Sequence, residues 1–210
     1  MVRINRKLAV LTAKYLVGPN VAFVIAQRPR DIPGFAYRLT LLVDDVGGVI
    51  EEAATHGNVP MLEAIKQSRH ASHIESHKNA IRKKAAKHGC KSVIRWLEHC
   101  GVPDYGNMCY HAARAGQFEM LRWLVHRMRA QTEVMPTTTC KAAAEGGHLA
   151  ILKWLRSKGF PWDADVCTAA AGGAHKDVVR WARDNGCSYD EYECAIAYAW
   201  NHGFTWNGGV

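Results

Sequence analysis

Alanine pairs recur along this chain at a nearly fixed step. Ala53-Ala54, Ala85-Ala86, Ala112-Ala113, Ala143-Ala144 and Ala170-Ala171 are separated by 32, 27, 31 and 27 residues. Trp96, Trp123, Trp154 and Trp181 keep the steps 27, 31 and 27, and Cys109, Cys140, Cys167 and Cys194 follow at 31, 27 and 27. Three residue types held in one register leave the chain little freedom. It must build one supersecondary unit several times over, in a fold whose copies stack on one another.

Each unit reads as two helices. The first is short and small-sided, as in CKAAAEGG, CTAAAGGA and CYHAARAG. Alanine has the best helix propensity, and its methyl group lets neighbouring helices approach closely. Asn107, Thr138 and Asp165, five residues before the alanine pair, are placed to cap its N-terminus. Gly57, Gly89, Gly116 and Gly147 end it, glycine being the residue that enters the left-handed conformation cheaply. The second helix reads VIRWLEHCG, MLRWLVHR, ILKWLRSKG and VVRWARDNG. At ~100° per residue, Ile151, Leu152, Trp154 and Leu155 fall within an arc of roughly 160°, and Lys153 points away from it. Arg95, Arg122 and Arg180 share that outward place. Gly101, Gly159 and Gly186 stop the second helix, and a corner follows: GVPDY, GFPWD, GCSYD and a late echo, GFTWN. A unit of this size cannot bury its apolar face alone. The fold expected is therefore all-α, an α-solenoid over residues 49–210 with about five repeats and a partial sixth.

The run A-A-x-x-G-H-L-x-x-L-K-W-L-x-x-x-G, best seen at Ala143-Ala144, Gly147-His148, Leu149, Leu152, Leu155 and Gly159, resembles the ankyrin repeat. The resemblance extends over about residues 49–207. It implies stacked helix-turn-helix units and a non-enzymatic module for protein–protein interaction. The sequence departs from the family in two ways. An ankyrin unit has about 33 residues, and the shorter period here removes residues where the family has its β-hairpin finger. That implies shortened or absent fingers and a shallower groove. The family's Thr-Pro-Leu-His opening is missing as well, with Cys140 at its Leu place and Lys141 at its His place. Short units containing Trp and Cys resemble those in ankyrin proteins of large DNA viruses of amoebae and some protists. That likeness implies a viral protein whose partner is a host protein, inside the host cell.

Charge and cysteine usage narrow the class further. The 210 residues carry a net charge of +8, unevenly spread. Residues 66–96 hold nine Lys/Arg against Glu75 alone, while residues 97–210 are close to neutral. Such a patch suits an acidic partner or, as the second-ranked partner, nucleic acid. Seven cysteines, an odd number, with no clean secretion signal argue against a disulfide framework. Apolar runs such as 21–26 fall far short of the ~20 residues that cross a bilayer. The expectation is a soluble, monomeric protein of the cytoplasm or nucleus, with no membrane partner.

Candidate residues follow from the register. Positions two before and two after the first marker alanine share a helical face. They are Lys83 and Lys87, Tyr110 and Arg114, Lys141 and Glu145, then Thr168 and Gly172. Tyr105, Trp162, Tyr189 and Trp206 at the corners add aromatic anchors, a class enriched in binding hot spots. Trp162 and Tyr189 are equally placed to pack on a neighbouring repeat. Trp96, Trp123, Trp154 and Trp181, with Cys109, Cys140, Cys167 and Cys194, read as core between repeats rather than as a stacking platform or a zinc site. His73 and His77, with His70 and Glu75 nearby, have metal-compatible spacing but sit in a polar stretch that reads as a solvated insertion. His88, Cys90, His99 and Cys100 occupy places the period already explains, so no metal is assigned. His148, His175 and His202 share a place after the first helix, which suggests a structural turn. No nucleophile elbow, phosphate loop or paired-carboxylate motif appears, and no cofactor is expected. Residues 1–48 fall outside the repeat. They read as a helical cap or, following the viral likeness, as an F-box-like adaptor to a ubiquitin ligase that lacks the family's Leu-Pro opening.

Overall fold

The computed structural model describes residues 46–101, 104–130, 134–188, 190 and 195. The cap or adaptor reading therefore lies, but for its last three residues, outside the described residues, as do the readings for Tyr189, Cys194, His202 and Trp206. The described residues form eleven α-helices and no strand, so the protein is all-α over this range. The chain divides into two compact units, Met1–Pro103 and Asp104–Val210.

In the first unit α1 (Val46–Thr55) and α4 (Lys78–His88) are the alanine helices, and they lie side by side. Ala53, Ala54, Ala85 and Ala86 are all fully buried, which is what lets two backbones come this close. α2 (Val59–Lys66) returns along α1, and α5 (Lys91–His99) returns along α4. Asn58 starts α2 by accepting a hydrogen bond from the Met61 backbone amide at 3.1 Å, with Pro60 in the first turn. α3 (Ala71–Ser76), a single short helix between α2 and α4, absorbs the extra residues of the 32-residue step. It buries only Ile74.

The second unit repeats the arrangement. α6 (Tyr105–Arg114), α8 (Thr138–Glu145) and α10 (Asp165–Gly172) pack in sequence through their alanines. α7 (Phe118–Ala130), α9 (Leu149–Ser157) and α11 (Lys176–Asp184) are their return helices. Leu121, Leu124, Leu152, Leu155 and Phe160 fill the space between. The step of 31 has a simple origin. α7 has 13 residues where α9 has 9, so the four added residues form about one more helical turn.

The expected caps are corrected. α6 begins before Asn107, and its cap is Asp104, which accepts from the Asn107 amide at 3.1 Å. Thr138 and Asp165 are first helical residues, not caps; the residues before them, Thr137 and Ala164, make no side-chain capping bond, and the Asp165 amide donates instead to Asp163 Oδ1 at 3.1 Å. With Asn107, Thr138 and Asp165 as caps the helices would begin one position after them; α6 begins three residues earlier than that, and α8 and α10 begin one residue earlier.

The joints between neighbours use main chain. The imidazole Nε2–H of His148 donates to the Arg114 carbonyl at 3.2 Å, and that of His175 donates to the Glu145 carbonyl at 3.2 Å. In the first unit the Cys90 thiol donates to the Thr55 carbonyl at 3.2 Å. Thr55, Arg114 and Glu145 hold one register position, two residues past the first marker alanine. Carbonyls in the last turn of a helix have no partner within it, so these side chains satisfy a group that would otherwise need water. Glycine makes the approach possible. A Cβ on Gly116 would stand 2.6 Å from His148 Cε1, and one on Gly147 would stand 2.5 Å from His175 Cε1. Both glycines also have positive φ, 73° and 72°.

No helix among the described residues is long and apolar enough to cross a membrane.

Candidate functional site

The alanine pairs of α6 and α8 and Ala170 of α10 are buried, which turns Tyr110, Arg114, Lys141, Glu145 and Thr168 toward the other side; Gly172, expected beside them, is buried instead. On that side Glu145 accepts from two directions. Arg114 Nη2 lies 2.7 Å from Glu145 Oε1, and the Tyr110 hydroxyl donates to Oε2 at 3.2 Å. One repeat further, Lys141 Nζ donates to Asp165 Oδ2 at 2.6 Å. The Thr168 hydroxyl turns back to the Ala164 carbonyl at 3.4 Å. Tyr110, Arg114, Lys141, Glu145 and Thr168 are thus brought onto one face, joined by Asp165. Sequence reasoning assigned Asp165 to a cap. It lies 24 residues from Lys141, which is the 27-residue step to Thr168 less three residues, about one helical turn back on the same face.

These contacts shift the groups involved. Burial first, and then the Glu145 carboxylate beside it, push the Tyr110 hydroxyl up from its ordinary range. The hydrogen bond to Asp165 raises Lys141 and holds it charged. The face is not closed off from solvent. The Arg114 side chain keeps 53 % of its exposure and Lys141 keeps 42 %.

In the first unit Lys83 and Lys87 are exposed on α4. Lys84 beside them pairs with Glu51 at 3.3 Å. His88 is held below the usual imidazole range by burial and then by the charges of Lys87 and Lys84.

The corners and the second helices depart from expectation. Tyr105 is fully buried, so it is an interior residue of its unit and not an exposed anchor. Its ring follows the capping Asp104 directly, and the first turn of α6 carries it inward. Trp162 takes the packing alternative. It is half-buried, edge-on to Trp181 at 5.7 Å, with the Arg156 guanidinium 4.3 Å from its ring. Trp96 is buried and donates its indole N–H to Glu63 Oε2 at 2.7 Å. That bond is the main cause that holds the Glu63 carboxyl below its ordinary value. Trp123, Trp154 and Trp181 are half-buried rather than core. Cations cover two of them, Arg127 over Trp123 at 5.7 Å and Lys153 over Trp181 at 5.8 Å, while Trp154 meets Phe118 edge-on at 5.5 Å. An indole at the edge of the apolar arc keeps one side near water, where a cation gains from its π face. Cys109, Cys140 and Cys167 are fully buried, and burial pushes the Cys140 thiol up to about 12.

His73 and His77 stack with ring centroids 6.4 Å apart, and His77 Nδ1–H donates to the His73 carbonyl at 2.8 Å. Among the described residues no three His, Cys, Asp or Glu side chains are grouped so as to hold a metal ion.

The sequence matches no family model. A search of curated proteins finds no match either, so the reading below rests on this chain's own residues.

Proposed function

We propose that the chain is an ankyrin-like repeat protein that binds a partner protein, without catalysis, through the outward side of its first helices. The observation that carries this reading is the cross-repeat ladder of Tyr110, Arg114 and Glu145 with Lys141 and Asp165. Long charged side chains normally lose rotamer freedom when a partner immobilises them. Here neighbouring repeats already hold them in place while they stay accessible, so binding orders less. The face displays tyrosine and arginine, residue types that dominate binding energy in protein interfaces.

The test is affinity capture of the tagged chain from nuclease-treated lysate at low and high salt, with the wild type beside Arg114→Glu/Lys141→Glu. A protein retained by the wild type at high salt and lost from the variant, both being folded by circular dichroism, is the expected result. Retention by both would remove this face from the function. Material that nuclease releases would replace the protein partner with nucleic acid.

A further inference from the structure

The first unit differs from the second in one respect that bears on the partner's chemistry. In the second unit the charges at the register positions find opposite charges in the next repeat: Arg114 with Glu145, Lys141 with Asp165. Lys83 and Lys87 hold the same positions on α4, and among the described residues neither has a carboxylate partner. The acidic groups around them are committed. Glu51 pairs with Lys84, Glu75 with Lys78, Glu52 with His56, and Glu63 accepts from Trp96 and Gln67. Two exposed ammonium groups one turn apart therefore lie in an uncompensated positive field. His88, held down in part by Lys87 and Lys84, registers that field from within the same helix.

We propose that this stripe of α4 receives an extended acidic segment of the partner, with carboxylates at alternate residues. The inference rests on the protein-binding reading above and adds the chemistry of the ligand. The spacing follows from helix and strand geometry. Four residues at ~1.5 Å separate Lys83 and Lys87 by about 6 Å along the helix. In an extended chain, side chains on one face recur every two residues, at about 6.6 Å. Two carboxylates spaced in this way meet both ammonium groups at once, whereas adjacent carboxylates point to opposite faces. The stripe Asn79, Lys83 and Lys87 has no aromatic ring, so it lacks the stacking surface on which single-stranded nucleic acid gains sequence-tolerant affinity.

The experiment is fluorescence anisotropy on the full chain with three labelled probes of equal charge. These are a peptide with four glutamates at alternate positions, its isomer with the four in two adjacent-pair blocks set three residues apart, so that no two are spaced by two, and a single-stranded oligonucleotide. Lys83→Glu/Lys87→Glu is compared with Lys158→Glu/Lys176→Glu, which changes net charge equally in the second unit, and circular dichroism confirms that both fold. The alternating peptide is expected to bind about tenfold tighter than the block isomer, to lose about tenfold in the α4 variant, and to change by less than about twofold in the control. Equal binding of the two peptides, equal losses in the two variants, or tighter binding of the oligonucleotide would each overturn the proposal. Capture of a partner that survives Lys83→Glu/Lys87→Glu but not Arg114→Glu/Lys141→Glu would sink this inference and leave the protein-binding reading standing.

Discussion

Among the residues that close the first helix of each repeat, Ala174 stands where Gly57, Gly89, Gly116 and Gly147 stand elsewhere, and it too has a positive φ, 58°. An L-residue is strained there by about 1–2 kcal/mol, part of which glycine gives back through its greater freedom when unfolded. Ala174→Gly is expected to stabilise the protein by about 1 kcal/mol, read as a higher urea midpoint at unchanged slope. Gly147→Ala should cost about 2 kcal/mol or more, because it adds both strain and a methyl group 2.5 Å from the His175 ring. Combining it with His175→Ala should recover the steric part, so the two substitutions will not add. The glycines could be read from the sequence because only their backbone conformation is unusual. Ala174 could not, since nothing in its chemistry marks a left-handed residue. Glu63 offers a pH test. Its folded value lies below the ordinary 4.5, so the stability it contributes is full above that value and is lost as pH falls through the folded value. Trp96→Phe removes the principal cause. The Glu63 carboxyl should then titrate higher by NMR, and the stability gap between the two proteins should narrow as the solution is acidified. A gap that is constant across that range would show that the indole matters only through packing.

At the scale of the element, the alanine helices were legible and their starting points were not. Ala112, Ala113, Ala143 and Ala144 are fully buried where α6, α8 and α10 approach each other, and small side chains at a fixed step are enough to predict that closeness. Ala143→Leu should therefore destabilise the second unit by about 2 kcal/mol, and by more if the helices cannot shift, as thermal and urea unfolding would show. A loss under about 0.5 kcal/mol would mean that the inner layer is loosely packed. The caps were misread because a capping residue is defined by where the chain turns, and Asp104 and Asn107 are both competent oxygens within one turn. The same ambiguity hid Tyr105, which follows the true cap and so turns inward. The tryptophan ladder was misjudged for a different reason. An apolar arc shows which way a residue points but not how far the neighbouring layer extends over it, and Trp123, Trp154 and Trp181 lie at its margin.

At the scale of the molecule, the register showed that units recur but not that the chain divides after Pro103, because the Gly-x-Pro corner there has a counterpart at Gly159-Phe160-Pro161. The two units can be followed separately through their thiols. Cys90 and Cys100 are half-buried in the first, and Cys109, Cys140 and Cys167 are fully buried in the second. Thiol labelling across a urea series, mapped by mass spectrometry, should modify Cys90 or Cys100 before any of the other three. Cys140 should stay protected until its unit opens, because its thiol is both buried and held protonated. Early labelling of Cys140 would show that the second unit opens locally. The joints made by His148 and His175 carry a wider consequence. Each grips a peptide carbonyl and the bare backbone of a glycine, and so makes no demand on the side chains displayed by the repeat it grips. A gene for such a protein can change every residue of the display face, or gain and lose blocks of 27 codons, without having to reinvent the seam.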